Sequence, residues 1–126
     1  MTDAAPRTTI VCIPVGEDGF VDPRWGRAER VAVATVSGDH VDNWQEFEVG
    51  WGRLHDEGPE GVHHARIARF LQDHGVQVVV AAHMGPGMTQ MLAKMPIAVR
   101  LGAAGRAREA VRACAPPASR GDATKA

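Results

Sequence analysis

Six histidines, His40, His55, His63, His64, His74 and His83, stand in a chain of 126 residues that has no tyrosine. Four of them, His55, His63, His64 and His83, are candidate metal ligands, because neutral imidazole is a common donor to transition metals. Met84 follows His83, and its thioether would suit a soft metal. The spacing matches no standard zinc signature. Arg24 and Arg27 bracket Trp25 and Gly26 and offer positive charge to an anion. Gly85, Pro86 and Gly87 form a turn in which Pro86 suits a first helical position and the glycines let backbone amides approach a ligand. No Gly-Lys-Ser/Thr follows, so this is not a phosphate loop of the Walker type. Neither Ser37 nor Ser119 stands beside a base, which argues against nucleophilic hydrolysis. Each feature also has a plain structural reading. The arginines could pair with Glu17, Asp18 or Asp22, His64 could pack in register with Ile67 and Leu71, and a backbone partner could satisfy His83. His40, in a turn, and His74, at a helix end, read as solvated.

The elements that must carry these residues alternate clearly. Thr8 to Val15 is β-branched and apolar on both faces, as in a covered central strand, with Pro14 marking its end. Arg30–Val36 and Val41–Val49 read as an antiparallel hairpin across Ser37–His40. Gly50–Gly61 reads as a loop. His63–His74 carries a helical stripe of Ile67, Ala68, Phe70 and Leu71, and Gly75 suits its C-cap. Val76–Ala82 is apolar nearly throughout and predicts a buried parallel strand. Met88, Met91, Leu92 and Met95 have the spacing of a helix facing a sheet, and Pro96 stops it. Ile97–Leu101 is a fifth strand, and Ala107–Ala113 a last short helix.

The resulting order, βββαβαβα, predicts an α/β fold with a five-stranded mixed sheet and helices packed on it. In a βαβ unit the helix begins near the carboxyl edge of the strands. His63, His64 and His83 are therefore expected at one edge, with the Gly16–Glu29 loop and the turns at Gly85–Gly87 and Gly102–Gly105. Crevices at that edge are the usual ligand sites of open α/β sheets.

Composition narrows the function classes. A 13.5 kDa chain fits one domain. Fourteen basic side chains against fifteen acidic ones give a net charge of −1, which provides no field for nucleic acid. The longest apolar run, Val78–Ala82, is too short to span a membrane, and the N-terminus lacks the layout of a signal peptide. With only Cys12 and Cys114, neither a disulfide framework nor a four-cysteine zinc site is available, and the cytoplasm is the expected compartment. Cys12, inside a strand, is expected to be inert. Residues 1–7 read as a disordered lead, 8–114 as the folded domain, and 115–126 as a tail without large apolar residues. Nothing in the sequence sets an oligomeric state.

Ile10–Val15, then Trp25-Gly26-Arg27-Ala28, then His63-His64 opening a helix, then His83-Met84-Gly85-Pro86-Gly87 after a buried strand, occur in a suggestive order. With Leu101-Gly102 and Gly105 near the end, the chain resembles the dinitrogenase iron-molybdenum cofactor biosynthesis family, the NifX/NafY-like domain also found at the C-terminus of NifB. The resemblance covers about Thr8 to Ala113. It implies a ribonuclease H-like three-layer α/β/α fold. It also implies a small protein that binds or carries a metal ion or an iron-sulfur or iron-molybdenum type cluster and catalyses nothing. Its partners would be the proteins that donate or accept the cluster. One position departs from the pattern. Many members have a histidine before the aromatic-Gly pair, where this chain has Arg24, a residue that stays protonated and cannot ligate.

The first expectation is thus a noncatalytic carrier. His63, His64 and His83 would coordinate, with His55 or Met84 as further ligands. Arg24, Trp25, Arg27 and the amides at Gly85 and Gly87 would hold the anionic periphery. Two alternatives stay open. One is a small metal-dependent hydrolytic enzyme with Asp18 or Asp56 as base. The other is a metal-free anion or nucleotide sensor built on the glycine turns.

Overall fold

The computed structural model describes residues 8–38, 40–55 and 60–114. The lead, the tail, Asp56 and the side chains of His55, Glu60 and Cys114 lie outside the described residues. Five strands, β1 (Thr8–Pro14), β2 (Arg30–Ser37), β3 (His40–Glu48), β4 (Val78–Val80) and β5 (Ala98–Arg100), form one mixed sheet in the order β3-β2-β1-β4-β5. β2 pairs antiparallel with both β1 and β3, whereas β1, β4 and β5 run parallel. The helices are α1 (Trp51–His55), α2 (Glu60–Asp73), α3 (Pro86–Lys94) and α4 (Ala107–Cys114). No helix among the described residues is long and apolar enough to cross a membrane.

Strand alternation divides the core in two. Cys12, Val31, Val33 and Val79 pack with Trp51, Ile67, Leu71, Met88 and Leu92 on the face covered by α1, α2 and α3. Val11, Ile13, Ala32, Ala34, Val78 and Val80 pack with Ala107, Ala110 and Val111 of α4 on the other. β1 is therefore apolar at every residue from Val11 to Ile13 because both its faces are covered. A bulge in β3 corrects its parity. Thr35 faces Asn43 and Val36 faces Val41, so Asp42 is the extra residue, and Val41 and Trp44 both reach the α4 face. Asp42 accepts a hydrogen bond from the Ser37 hydroxyl.

The segment Gly50–Gly61, expected to be a loop, instead begins with α1, and α2 starts earlier than expected, at Glu60. The element order is thus βββααβαβα. Trp51 explains α1: only 2% exposed, its ring meets Trp25 edge-on at 5.2 Å and Phe70 at 5.7 Å. Burying so large a ring outweighs the poor helix propensity of Gly52. Gly52 has its own reason, since a Cβ there would lie 2.7 Å from the Arg27 carbonyl oxygen. Gly75 closes α2 in the left-handed region at φ +64.

Candidate functional site

Residues from three separate segments line one cleft of about 490 Å³ beside the start of α2. The β1–β2 connection supplies Arg24, Trp25, Gly26 and Arg27; the N-terminal part of α2 supplies His63 and His64. The segment after β4 supplies His83, Met84, Gly85, Pro86, Gly87 and Met88. Of the expected site residues, all but His55 meet here, and the His55 side chain lies outside the described residues. The Gly102–Gly105 turn stays at the carboxyl edge of the strands but does not line this cleft. Val21 N–H donates to the Gly105 carbonyl and Ala107 N–H to that of Gly19, so this turn closes on the other end of the β1–β2 connection. Glu17 lines a second cavity of about 450 Å³. No carboxylate lines the histidine cleft among the described residues.

Local chemistry sets each wall. Asp22, 8% exposed, accepts from the Arg24 backbone N–H at 2.9 Å and takes Arg24 Nε and Nη2 at 3.1 and 3.2 Å. Those hydrogen bonds, and then the carboxylate charge, keep Arg24 more firmly protonated than usual. Trp25 turns into the core, where its Nε1–H is buried with no hydrogen-bond partner among the described residues. α3 opens on Gly85 as N-cap with Pro86 behind it, no side chain capping it and no acidic residue in its first turn. The amides of Gly87 and Met88 therefore present the positive end of the helix to an anion.

The two adjacent histidines behave differently. His63 is 1% exposed; its Nε2–H donates to the Gly26 carbonyl at 2.7 Å, and Arg66 Nη1 donates to its Nδ1 at 3.2 Å. His64 is half-buried, and its Cε1 lies 3.3 Å from where a Cβ on Gly87 would sit. Gly87 thus serves a close approach of the His64 ring. His83 is exposed just past β4, and Met84 packs against the core beside it. Among the described residues, no three or more His, Cys, Asp or Glu side chains converge as a site for one metal ion. His40 is exposed and 3.6 Å from Asp42, but His74 is not the solvated residue expected. Its ring packs on Phe70 at 4.4 Å and Phe47 at 4.6 Å. Cys12 is fully buried in β1, and burial pushes its thiol pKa up.

The model of the dinitrogenase iron-molybdenum cofactor family matches residues 7–115. The chain belongs to this family. Solved structures carry the same fold as this family member. The crystal structure of PH0822 superposes with a TM-score of 0.67 at 23% identity, over 83% of this chain and 88% of that one. The apo orange protein from Desulfovibrio gigas gives 0.64 at 24% identity, over 86% and 88%. An NMR structure of a NifB-like protein of the DUF35 family from Thermotoga gives 0.62 at 25% identity, over 83% and 85%. No curated protein matches the chain.

Sequence reasoning missed the Gly26 carbonyl and Met88 as parts of the cleft. A carbonyl carries no residue-type signal. Met88 reads as core from its spacing and is indeed buried, yet it also floors the cleft.

Proposed function

We propose that this protein is a noncatalytic carrier of an anionic metal-sulfur cluster, of the iron-molybdenum cofactor or precursor type, on a ribonuclease H-like frame. The observation that carries this reading is the cleft itself: imidazole, thioether, guanidinium and helix-end amides from three segments face one space. The donor set fits the cargo. His64, His83 and Met84 offer borderline and soft donors from two separate segments, as a cluster with several metal atoms would use. Arg24, Arg27 and the start of α3 supply positive potential for its charge. A cavity of about 490 Å³ holds a polynuclear cargo more naturally than a lone ion. The family, named for the iron-molybdenum cofactor, supports the same class.

In this reading the chain binds and releases, and among the described residues no carboxylate lines the cleft to serve as a base. Asp18 lies outside the cleft lining and holds the Phe20 N–H at 3.0 Å, so it serves its own turn. The partners would be proteins that build the cluster and proteins that receive it, in a cytoplasmic setting.

The test is elemental analysis of protein purified without oxygen and reconstituted with ferrous iron, molybdate and sulfide, wild type beside His64→Ala/His83→Ala. Both side chains lie outside the fully buried core, so the double variant should fold. The expected result is near-stoichiometric metal with sulfide in the wild type and its loss from the folded variant. Full retention in the variant would overturn the ligand assignment. A wild type that stays metal-free yet gains thermal stability from molybdate alone would favour the metal-free anion sensor.

A further inference from the structure

We infer that His63 is a positioning residue of the cleft, a latch that fixes the Trp25–Arg27 wall to α2, and not one of its ligands. The inference rests on the cleft being the binding site. Both ring nitrogens of His63 are engaged: Nε2 carries the proton given to the Gly26 carbonyl at 2.7 Å, and the Nδ1 lone pair faces the Arg66 guanidinium at 3.2 Å. A metal needs an imidazole lone pair. Taking the one on Nδ1 would set the metal against a guanidinium that cannot deprotonate. Taking Nε2 would cost the proton and the bond to Gly26. At 1% exposure the ring also has almost no surface from which to reach cargo.

What the bond to Gly26 does follows from its place. Gly26 lies between Trp25 and Arg27, which both line the cleft, and is 37 residues from His63 in sequence. The bond therefore clamps a loop wall onto a helix. The next residue on that helix, His64, is turned by about 100° and stands against Gly87 of the opposite wall. The His63-His64 pair thus spans the cleft: one ring holds the loop side, and the other reaches α3. Supporting bonds of this kind set donor positions to within a few tenths of an ångström, and their loss typically costs about 10- to 100-fold in metal affinity.

The test compares His63→Gln and His63→Leu in the full chain. Glutamine places an amide N–H near the position of Nε2 and has no imidazole; leucine removes the donor. Two readouts are taken: competitive copper(I) titration under argon, and hydrogen exchange of the 24–28 amides in metal-free protein. The latch predicts that His63→Gln binds copper(I) within about 3-fold of wild type and keeps native exchange at 24–28. His63→Leu should lose about 10-fold or more in affinity, with 24–28 exchange accelerated by a similar factor while β1 and β2 stay protected. If His63→Gln loses as much as His64→Ala, His63 is a ligand and the inference falls. It also falls if His63→Leu folds and leaves exchange at 24–28 unchanged. If the wild type binds no copper(I), the exchange arm alone decides the latch. If the leucine variant does not fold, the glutamine arm decides alone.

Discussion

Replacing Gly87 by alanine should separate binding from stability, because the two respond to the new methyl group in opposite directions. Gly87 is exposed in the first turn of α3 and has no positive φ, so the backbone accepts alanine. Removing glycine from a helix favours folding by up to about 0.5–1 kcal/mol, less near its end. The new Cβ meets one neighbour within 4 Å, the His64 Cε1 at 3.3 Å, closer than the 3.4 Å at which ordinary contact begins. The ring must therefore give by a few tenths of an ångström. Metal donors tolerate about 0.2 Å, so a shift of this size should cost on the order of 10-fold in affinity, or about 1.4 kcal/mol. Urea unfolding and competitive copper(I) titration on the same preparation would measure both. The expected pattern is stability equal to or above wild type with weakened binding. Unchanged affinity in the stabilised variant would refute the idea that His64 is a donor seated by Gly87. A parallel loss of stability and affinity would mean that the methyl group disrupts α3 packing instead.

Three further outcomes follow from the same geometry. Asp22→Asn keeps an acceptor for the Arg24 backbone N–H but removes the charge that pairs with its guanidinium; molybdate affinity should rise by up to about 5-fold and become steeper in salt, since a pair whose guanidinium stands largely in solvent is worth about 1 kcal/mol, and a fall in affinity would contradict an anion-binding role for Arg24. Leu71→Ala, in the core under α2, should destabilise by about 2–5 kcal/mol in urea melts, and a cost near zero would contradict its full burial. In a Cys114→Ser background, Cys12 should stay unreactive to a thiol reagent at pH 8 until the protein unfolds. Its raised folded pKa also carries a sign: the contribution to stability is intact below the ordinary thiol pKa and is lost as pH rises above it, because the unfolded chain ionises first. Rapid labelling of the native protein would show that β1 opens locally.

Much of the architecture was legible because it depends on local periodicity and on punctuation by glycine and proline. The covered central strand, the β2–β3 hairpin, the parallel β4, the helix with Pro86 in its first turn and the Gly75 cap all answer to such signals. The short helix α1 left no such trace. Gly50 and Gly52 read as loop, and what makes the segment helical is the burial of Trp51 against Trp25 and Phe70, residues distant in sequence. His74 was misplaced for the same reason: nothing in a helix-end position reveals that Phe47 of β3 packs on it.

The candidate site divides along the same line. Residue types and the βαβ rule placed Arg24, Trp25, Arg27, His63, His64, His83, Met84, Gly85 and Gly87 at one edge of the sheet, and the structure gathers them around one cleft. The sequence by itself determined this convergence, because strand direction dictates where helices begin and where loops leave. Only the tertiary structure decided what each residue does there. It turned one of two neighbouring histidines onto a carbonyl 37 residues away and the other onto a glycine of the facing helix, and it tied Arg24 to a buried aspartate. Identical side chains one position apart carry no difference in type; the hydrogen bonds and close contacts that distinguish them exist only after distant segments have packed.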